Sequence, residues 1–136
     1  MHPTALRNEV APIQQESDML WLRQLVRRYA VELGFNVLNQ TKIVTAASEL
    51  GRNTLIHGLG GHLRIEIRQK GSQQGLCLTF EDRGPGIKDI EKALTDGFTT
   101  GKGMGLGLGG AKRLMNEFDI SPREGGGTII TVTRWV

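Results

Sequence analysis

Apolar and polar positions alternate along this chain with two distinct periods. Leu22, Leu25, Val26, Tyr29, Ala30 and Leu33 recur at three- and four-residue steps, which predicts an amphipathic helix. Ser17 is a candidate cap at its start, and Gly34 a candidate stop. A second helix is expected from a cap at Asn39 to about His57, with Gly58 as its stop. From His62 to Lys70 the period changes to two: Leu63, Ile65 and Ile67 face one way, and Arg64, Glu66 and Arg68 the other. Gly71 to Gly75 reads as a turn, and Leu76 to Glu81 as a second strand, so the pair predicts a hairpin.

Leu6 to Ile13 reads as a first strand, Leu108 to Phe118 as a third helix and Asp119 to Arg123 as a short strand. Thr128 to Val136 is a β-branched strand after a turn at Gly125 to Gly127. Residues 82 to 107 have little apolar periodicity, and a loop that long inside a compact domain is usually functional. The sum is an α/β (α+β) two-layer sandwich. Its sheet is mixed and mostly antiparallel, with three helices on one face, and a single domain spans 1–136.

Composition sharpens one point. Glycine accounts for 19 of 136 residues, and seven of these lie between Gly97 and Gly110, so the enrichment is local. With no three-residue period and four prolines, collagen is excluded. With 38% apolar residues, disorder is disfavoured. The net charge of +3, with no basic run, does not point to nucleic acid. One cysteine, Cys77, forms no internal disulfide and reads as a core residue. No stretch is long and apolar enough for a membrane span, so a cytoplasmic protein is expected, with neither nucleic acid nor membrane as partner.

The glycine-rich run admits three phosphate-loop readings. A P-loop fails because Gly97, Gly101 and Lys102 are spaced one residue short and Gly103 replaces the magnesium-binding hydroxyl residue. Gly105, Gly107 and Gly110 satisfy G-x-G-x-x-G, but the segment before them is not a strand. The partner motifs of a eukaryotic-type kinase loop are missing. What remains is a flexible glycine segment opening into a helix, whose bare amides form an anion site, with Lys102, Lys112 and Arg113 nearby. Its alternative is a mobile surface loop.

Two further elements bear on that choice. Asp82-Arg-Gly84-Pro-Gly86-Ile87 places a carboxylate at a strand end, followed by glycines that let a planar ligand approach the backbone; the alternative is an Asp-initiated turn. Glu49 and Asn53, four apart on the second helix, share a face, and oxygen donors there suit magnesium. Arg52 is three residues from Glu49 and a candidate ion-pair partner for it; the alternative is a solvated helix face.

In this order the motifs resemble the GHKL ATPase superfamily, the Bergerat-fold nucleotide binders. Glu49-Leu-Gly-Arg-Asn53 matches that family's N box, and Asp82 to Ile87 its first glycine box. Gly101 to Gly110 matches the second glycine box, and Gly125-Gly-Gly-Thr128 the final Gly-Thr motif. Within the superfamily, E-D-R-G-P-G-I-K-D-I, D-G-F-T-T-G and G-G-A-K-R-L-M-N-E-F are most similar to the RsbT-type anti-sigma regulatory serine/threonine switch kinases. His57 is similar instead to the anti-sigma group that includes RsbW and SpoIIAB, although a helix-end packing or capping role also fits it.

The resemblance implies a set of roles. Asn53 would ligate magnesium on ATP, and Asp82 would accept the adenine amine with help from Thr128. Gly84, Gly86 and Ile87 would flank the base. Gly103, Gly105, Leu106 and Gly107 would fold over the phosphates, and Glu49 would be the general base. It also implies a STAS-domain phosphoacceptor or scaffold, and a downstream effector such as a PPM-type phosphatase. The other readings are sequestration of a sigma factor and a non-catalytic ATP-binding adaptor.

Overall fold

The computed structural model describes residues 4–86 and 108–136. Five strands form one sheet: β1 (Thr4–Ile13), β2 (Gly61–Lys70), β3 (Gln73–Asp82), β4 (Glu117–Pro122) and β5 (Thr128–Trp135). Their spatial order is β1-β2-β3-β5-β4. All four pairings are antiparallel, so the sheet is simpler than the mixed one expected. Three helices, α1 (Glu16–Leu33), α2 (Val37–Ile56) and α3 (Leu108–Leu114), complete the described part.

The two-residue period of the strands puts one face of the sheet in the core. Leu63, Ile65 and Ile67 of β2 stand opposite Phe80, Leu78 and Leu76 of β3. Ile130 and Val132 of β5 continue the same rows beside Phe80 and Leu78. Helix α1 covers this face with Met19, Leu22, Leu25, Val26, Tyr29 and Ala30, and α2 with Ile43, Ala46, Ala47 and Leu50. Small residues on α2 let the helices approach: a Cβ added at Gly51 would lie 3.1 Å from Leu22 and from Met19. Cys77 is buried but lies outside the core cluster, and burial pushes its thiol pKa up.

Several boundaries differ from the sequence expectation for local reasons. Helix α1 starts one turn earlier than its apolar stripe. Asp18, not Ser17, fastens its start, its carboxylate accepting from the Gln14 and Gln15 amides just before the first turn at 2.9 and 3.1 Å. Asn36, not Asn39, caps α2 by accepting from the Asn39 amide at 2.8 Å. The Asn39 side chain instead accepts from Arg134 of β5 at 2.9 Å.

Arg134 also donates to the Leu114 carbonyl at 2.8 Å, which ends α3 there. Asn116 then turns the chain into the sheet, donating to the Thr133 carbonyl and accepting from the Trp135 amide. Phe118, expected on the helix, therefore lies on β4. The β2–β3 turn is only Gly71-Ser72, shorter than expected, with Gly71 in the left-handed region at φ 62°.

A polar clamp fastens the edge strand to α1. Buried Tyr29 donates to Glu9 at 2.8 Å, while Arg7 stacks on the Tyr29 ring and pairs with Glu32 at 2.6 Å. Burial comes first among the causes that raise the Tyr29 pKa, followed by the bond to Glu9. Tyr29→Phe removes the hydroxyl and keeps the ring, so it is expected to cost about 1 kcal/mol. A thermal melt should fall by roughly 4 °C; an unchanged melting temperature would show that the clamp adds nothing.

Candidate functional site

The site forms where the end of α2 meets the adjoining ends of β3 and β5. Asp82 closes β3, with Thr128, the first residue of β5, opposite it. Helix α2 ends over this point. The His57 and Gly58 amides both donate to the Asn53 carbonyl at 2.9 Å. Gly58 then lies directly on the Asp82 side chain: a Cβ there would be 2.4 Å from Asp82 Cγ. Gly84, after the strand, lies in turn against the Gly58 backbone, with 2.7 Å from its would-be Cβ to Gly58 Cα. On the β5 side Gly127 has φ 109°, and a Cβ there would sit 2.0 Å from the Asp82 carbonyl oxygen. Only glycine fits at Gly58 and Gly127, because the helix end and the β5 turn both abut Asp82.

Asp82 is only partly exposed. Burial pushes its pKa up, opposed by backbone hydrogen bonds from Gly84 and Thr128 and by the charge of Arg123. The Gly84 amide donates to Asp82 Oδ1 at 2.9 Å. Beside it, Glu81 is held below the usual carboxylate range by its hydrogen bond from Arg123 Nε at 2.8 Å. Adjacent carboxylates thus have opposite environments: a guanidinium favours the charged form of Glu81, and burial disfavours that of Asp82. Asp82 is the member of the pair suited to receive a hydrogen bond from a ligand.

Asn53, Thr54, His57, Gly58, Asp82, Gly86, Thr128 and Ile130 line one cavity of about 30 Å³. The space is that of about one water molecule, and its lining combines an acceptor with apolar surface. Asp82 supplies the acceptor, Ile130 and the glycines supply apolar and bare-backbone surface, and the buried Thr128 is at hand beside Asp82. Gly86 has φ 80°, and among the described residues the Gly127 carbonyl lies 3.5 Å from its would-be Cβ. Asn53 lines the same cavity. Among the described residues no group of three or more His, Cys, Asp and Glu could hold a metal. Asn53 is a candidate oxygen donor to a magnesium ion carried by phosphate.

Glu49 lies one turn before Asn53 on α2, exposed and outside the cavity lining. Arg52 does not pair with it, contrary to the spacing, but reaches across to Glu16 of α1 at 3.1 Å. No described residue makes an ion pair with Glu49. The structure thus brings together Asn53, Asp82, Gly84, Gly86 and Thr128, with Glu49 one turn away. Ile87, Gly103, Gly105, Leu106 and Gly107 lie outside the described residues, as does Lys102. His57 is the C-cap of α2 and also lines the cavity, and Thr54 and Ile130 join it. Gly58 was legible only as a helix stop, yet it fixes Asp82. The one sequence signal for that role is the run Gly58-Leu-Gly-Gly61 directly after the helix.

Comparison with known proteins gives the family and the fold. Residues 38–135 match the family model described as histidine kinase-, DNA gyrase B-, and HSP90-like ATPase. The chain is 44% identical over 124 residues to the serine/threonine-protein kinase RsbT of Bacillus subtilis (strain 168), covering 91% of this chain and 93% of that one. It is 32% identical over 134 residues to the anti-sigma F factor of Thermoanaerobacter sp. (strain X514), covering 95% and 91%. A crystal structure of RsbU and RsbW domains from Mycobacterium tuberculosis has the same fold, with a TM-score of 0.61 at 21% identity. That match takes in 98% of this chain but 32% of the longer one. No helix among the described residues is long and apolar enough to cross a membrane.

Gly58→Ala tests the contact on which the site stands. Its methyl group must displace Asp82 or the end of α2, at a cost of about 1–3 kcal/mol by overpacking. Chemical denaturation should show that loss. Gly110→Ala, whose Cβ meets nothing within 4 Å among the described residues, should show none. Equal stability of the two variants would contradict the contact.

Proposed function

This chain belongs to the histidine kinase-, DNA gyrase B-, and HSP90-like ATPase family and is an ATP-dependent protein serine/threonine kinase; from that premise we propose that it is a partner-switching regulator of the RsbT type. It phosphorylates a Ser or Thr of a STAS-domain scaffold or antagonist in the cytoplasm and then binds a downstream effector such as a PPM-type phosphatase. Its partners are proteins, with no nucleic acid or membrane among them.

The supporting observation is the arrangement along α2. The helix delivers Asn53 into the Asp82–Thr128 cavity and leaves Glu49 exposed one turn earlier, without an ion-pair partner among the described residues. In this reading Asp82 accepts the exocyclic amine of adenine, and Thr128 supports it. Gly84, Gly86 and Ile87 lie along the base. Gly103, Gly105, Leu106 and Gly107 fold over the phosphates. Asn53 ligates the magnesium, which neutralises phosphate charge.

Residues four apart on a helix face stand about 6 Å from one another, so Glu49 is near the phosphates without competing for the metal. There it takes the proton of the attacking hydroxyl. Phosphoryl transfer asks mainly for position and charge neutralisation, and a general base adds about 10²–10⁴-fold.

A second reading rests on His57 and on the similarity to an anti-sigma F factor. There the protein acts mainly by sequestering a sigma factor, and that factor, rather than a STAS assembly, would co-purify with it. A third, an ATP-binding adaptor, leaves the exposed Glu49 carboxylate unexplained.

The kinase reading is tested with γ-labelled ATP and a STAS-domain protein from the same genome. Label should pass to a Ser or Thr of the partner. Glu49→Gln should reduce transfer about 10²-fold or more while ATP still binds. No label on the partner, or equal labelling by the variant, would refute it.

A further inference from the structure

The turn between β4 and β5 carries three consecutive glycines, Gly125, Gly126 and Gly127, at φ 88°, 110° and 109°. Glycine has little preference for one backbone conformation, so such a run does not hold a shape by itself. Thr128 follows it directly and pairs with Asp82, so the site needs the turn held from outside. Arg123 does this. Its Nε donates to Glu81 Oε2 of β3 at 2.8 Å, and one terminal nitrogen donates to the carbonyls of Glu124 and Gly126 at 3.1 and 3.3 Å. Backbone bonds close the same turn. The Arg123 amide donates to the Gly127 carbonyl, and the Gly126 amide to the Arg123 carbonyl, both at 3.0 Å. One guanidinium thus ties the glycine turn to the residue that precedes Asp82.

We propose that Arg123 is a positioning residue for the nucleotide, holding the glycine turn in the arrangement that keeps Thr128 beside Asp82. The inference rests on the reading of Asp82 as the acceptor of the adenine amine. Gly127 passes so close to β3 that its would-be Cβ lies 2.0 Å from the Asp82 carbonyl oxygen. A shift of the turn therefore moves Thr128 relative to Asp82. The Thr128 backbone also hydrogen-bonds Asp82, a contact that the turn sets. Arg123 itself is outside the lining of the nucleotide cavity, so it acts through the turn rather than by touching the ligand.

An ion pair that serves stability alone is the competing reading. It would need only a cation beside Glu81. His62 of β2 also faces Glu81, its Nε2 4.0 Å from Oε1, but of the two only Arg123 grips the turn as well. A guanidinium presents its donors in a fixed planar fork, whereas a lysine ammonium is a single point of charge. Lysine at this position would keep the charge near Glu81 without spanning the carboxylate and both carbonyls.

The test titrates ATP and GTP into the wild type, R123A, R123K and E81Q, with a thermal melt of each. R123A should bind ATP about tenfold more weakly. Its GTP affinity should change much less, because guanine carries a carbonyl where adenine carries the amine that Asp82 reads. The preference for ATP over GTP should therefore narrow about tenfold. R123K should recover only a small part. E81Q, which leaves Arg123 its two turn carbonyls, should show the same change at a smaller size. In the kinase assay the loss should fall on KM for ATP, with kcat and KM for the protein substrate unchanged.

A purely structural pair gives a lower melting temperature with the wild-type preference for ATP. That preference in R123A, or in E81Q where R123A does not fold, would overturn the proposal, as would full recovery by R123K. D82N, titrated beside them, separates the two readings. If it keeps the wild-type ATP affinity, the adenine reading fails and the role of Arg123 goes with it. If it loses ATP while R123A binds as the wild type does, the role of Arg123 alone fails.

Discussion

The contact between Gly58 and Asp82 organises this molecule. The end of a helix is placed against a carboxylate at the end of a strand, closer than any side chain on the helix would allow. That one approach fixes where α2 ends, which way Asp82 points and how near Asn53 comes to Thr128. It also leaves Asp82 partly desolvated, with its pKa raised by burial despite two backbone donors. In water the same residue would be an ordinary surface acid with no preference for a ligand.

The contact places a cost on the fold. A carboxylate whose pKa is higher in the folded than in the unfolded state favours folding at low pH. That contribution disappears as pH rises through the raised value. Glu81 has the opposite sign: paired with Arg123, it favours folding above the ordinary carboxylate range and loses that effect in acid. Neighbouring carboxylates on one strand thus act on stability with opposite sign.

Much of this was legible in the sequence because it follows from short-range periodicity. The two-residue alternation in β2 and the three-to-four-residue stripe in α1 each name the side that faces the core, and the core rows follow. Asp82, Asn53 and Thr128 were legible as motifs, and the structure places them around one cavity. What the sequence hid depended on distant partners. Asn39 looks like a cap until Arg134, far along the chain, occupies its side chain and Asn36 takes over. Arg52 looks like a partner for Glu49 until Glu16 comes within reach from another helix. Phe118 continues a helical stripe until Asn116 finds the end of β5. Gly58 is only a stop until the strand end arrives against it.

The central claim is that Asp82 is kept in a costly setting because it reads the nucleotide. It is tested most directly by calorimetric titration of Mg-ATP into Asp82→Asn, alongside a thermal melt of the same protein at pH 7. Removing a buried charge while keeping the shape should abolish measurable ATP binding and leave the melting temperature equal to the wild type or higher. Retained affinity, or binding lost only together with the fold, would contradict it.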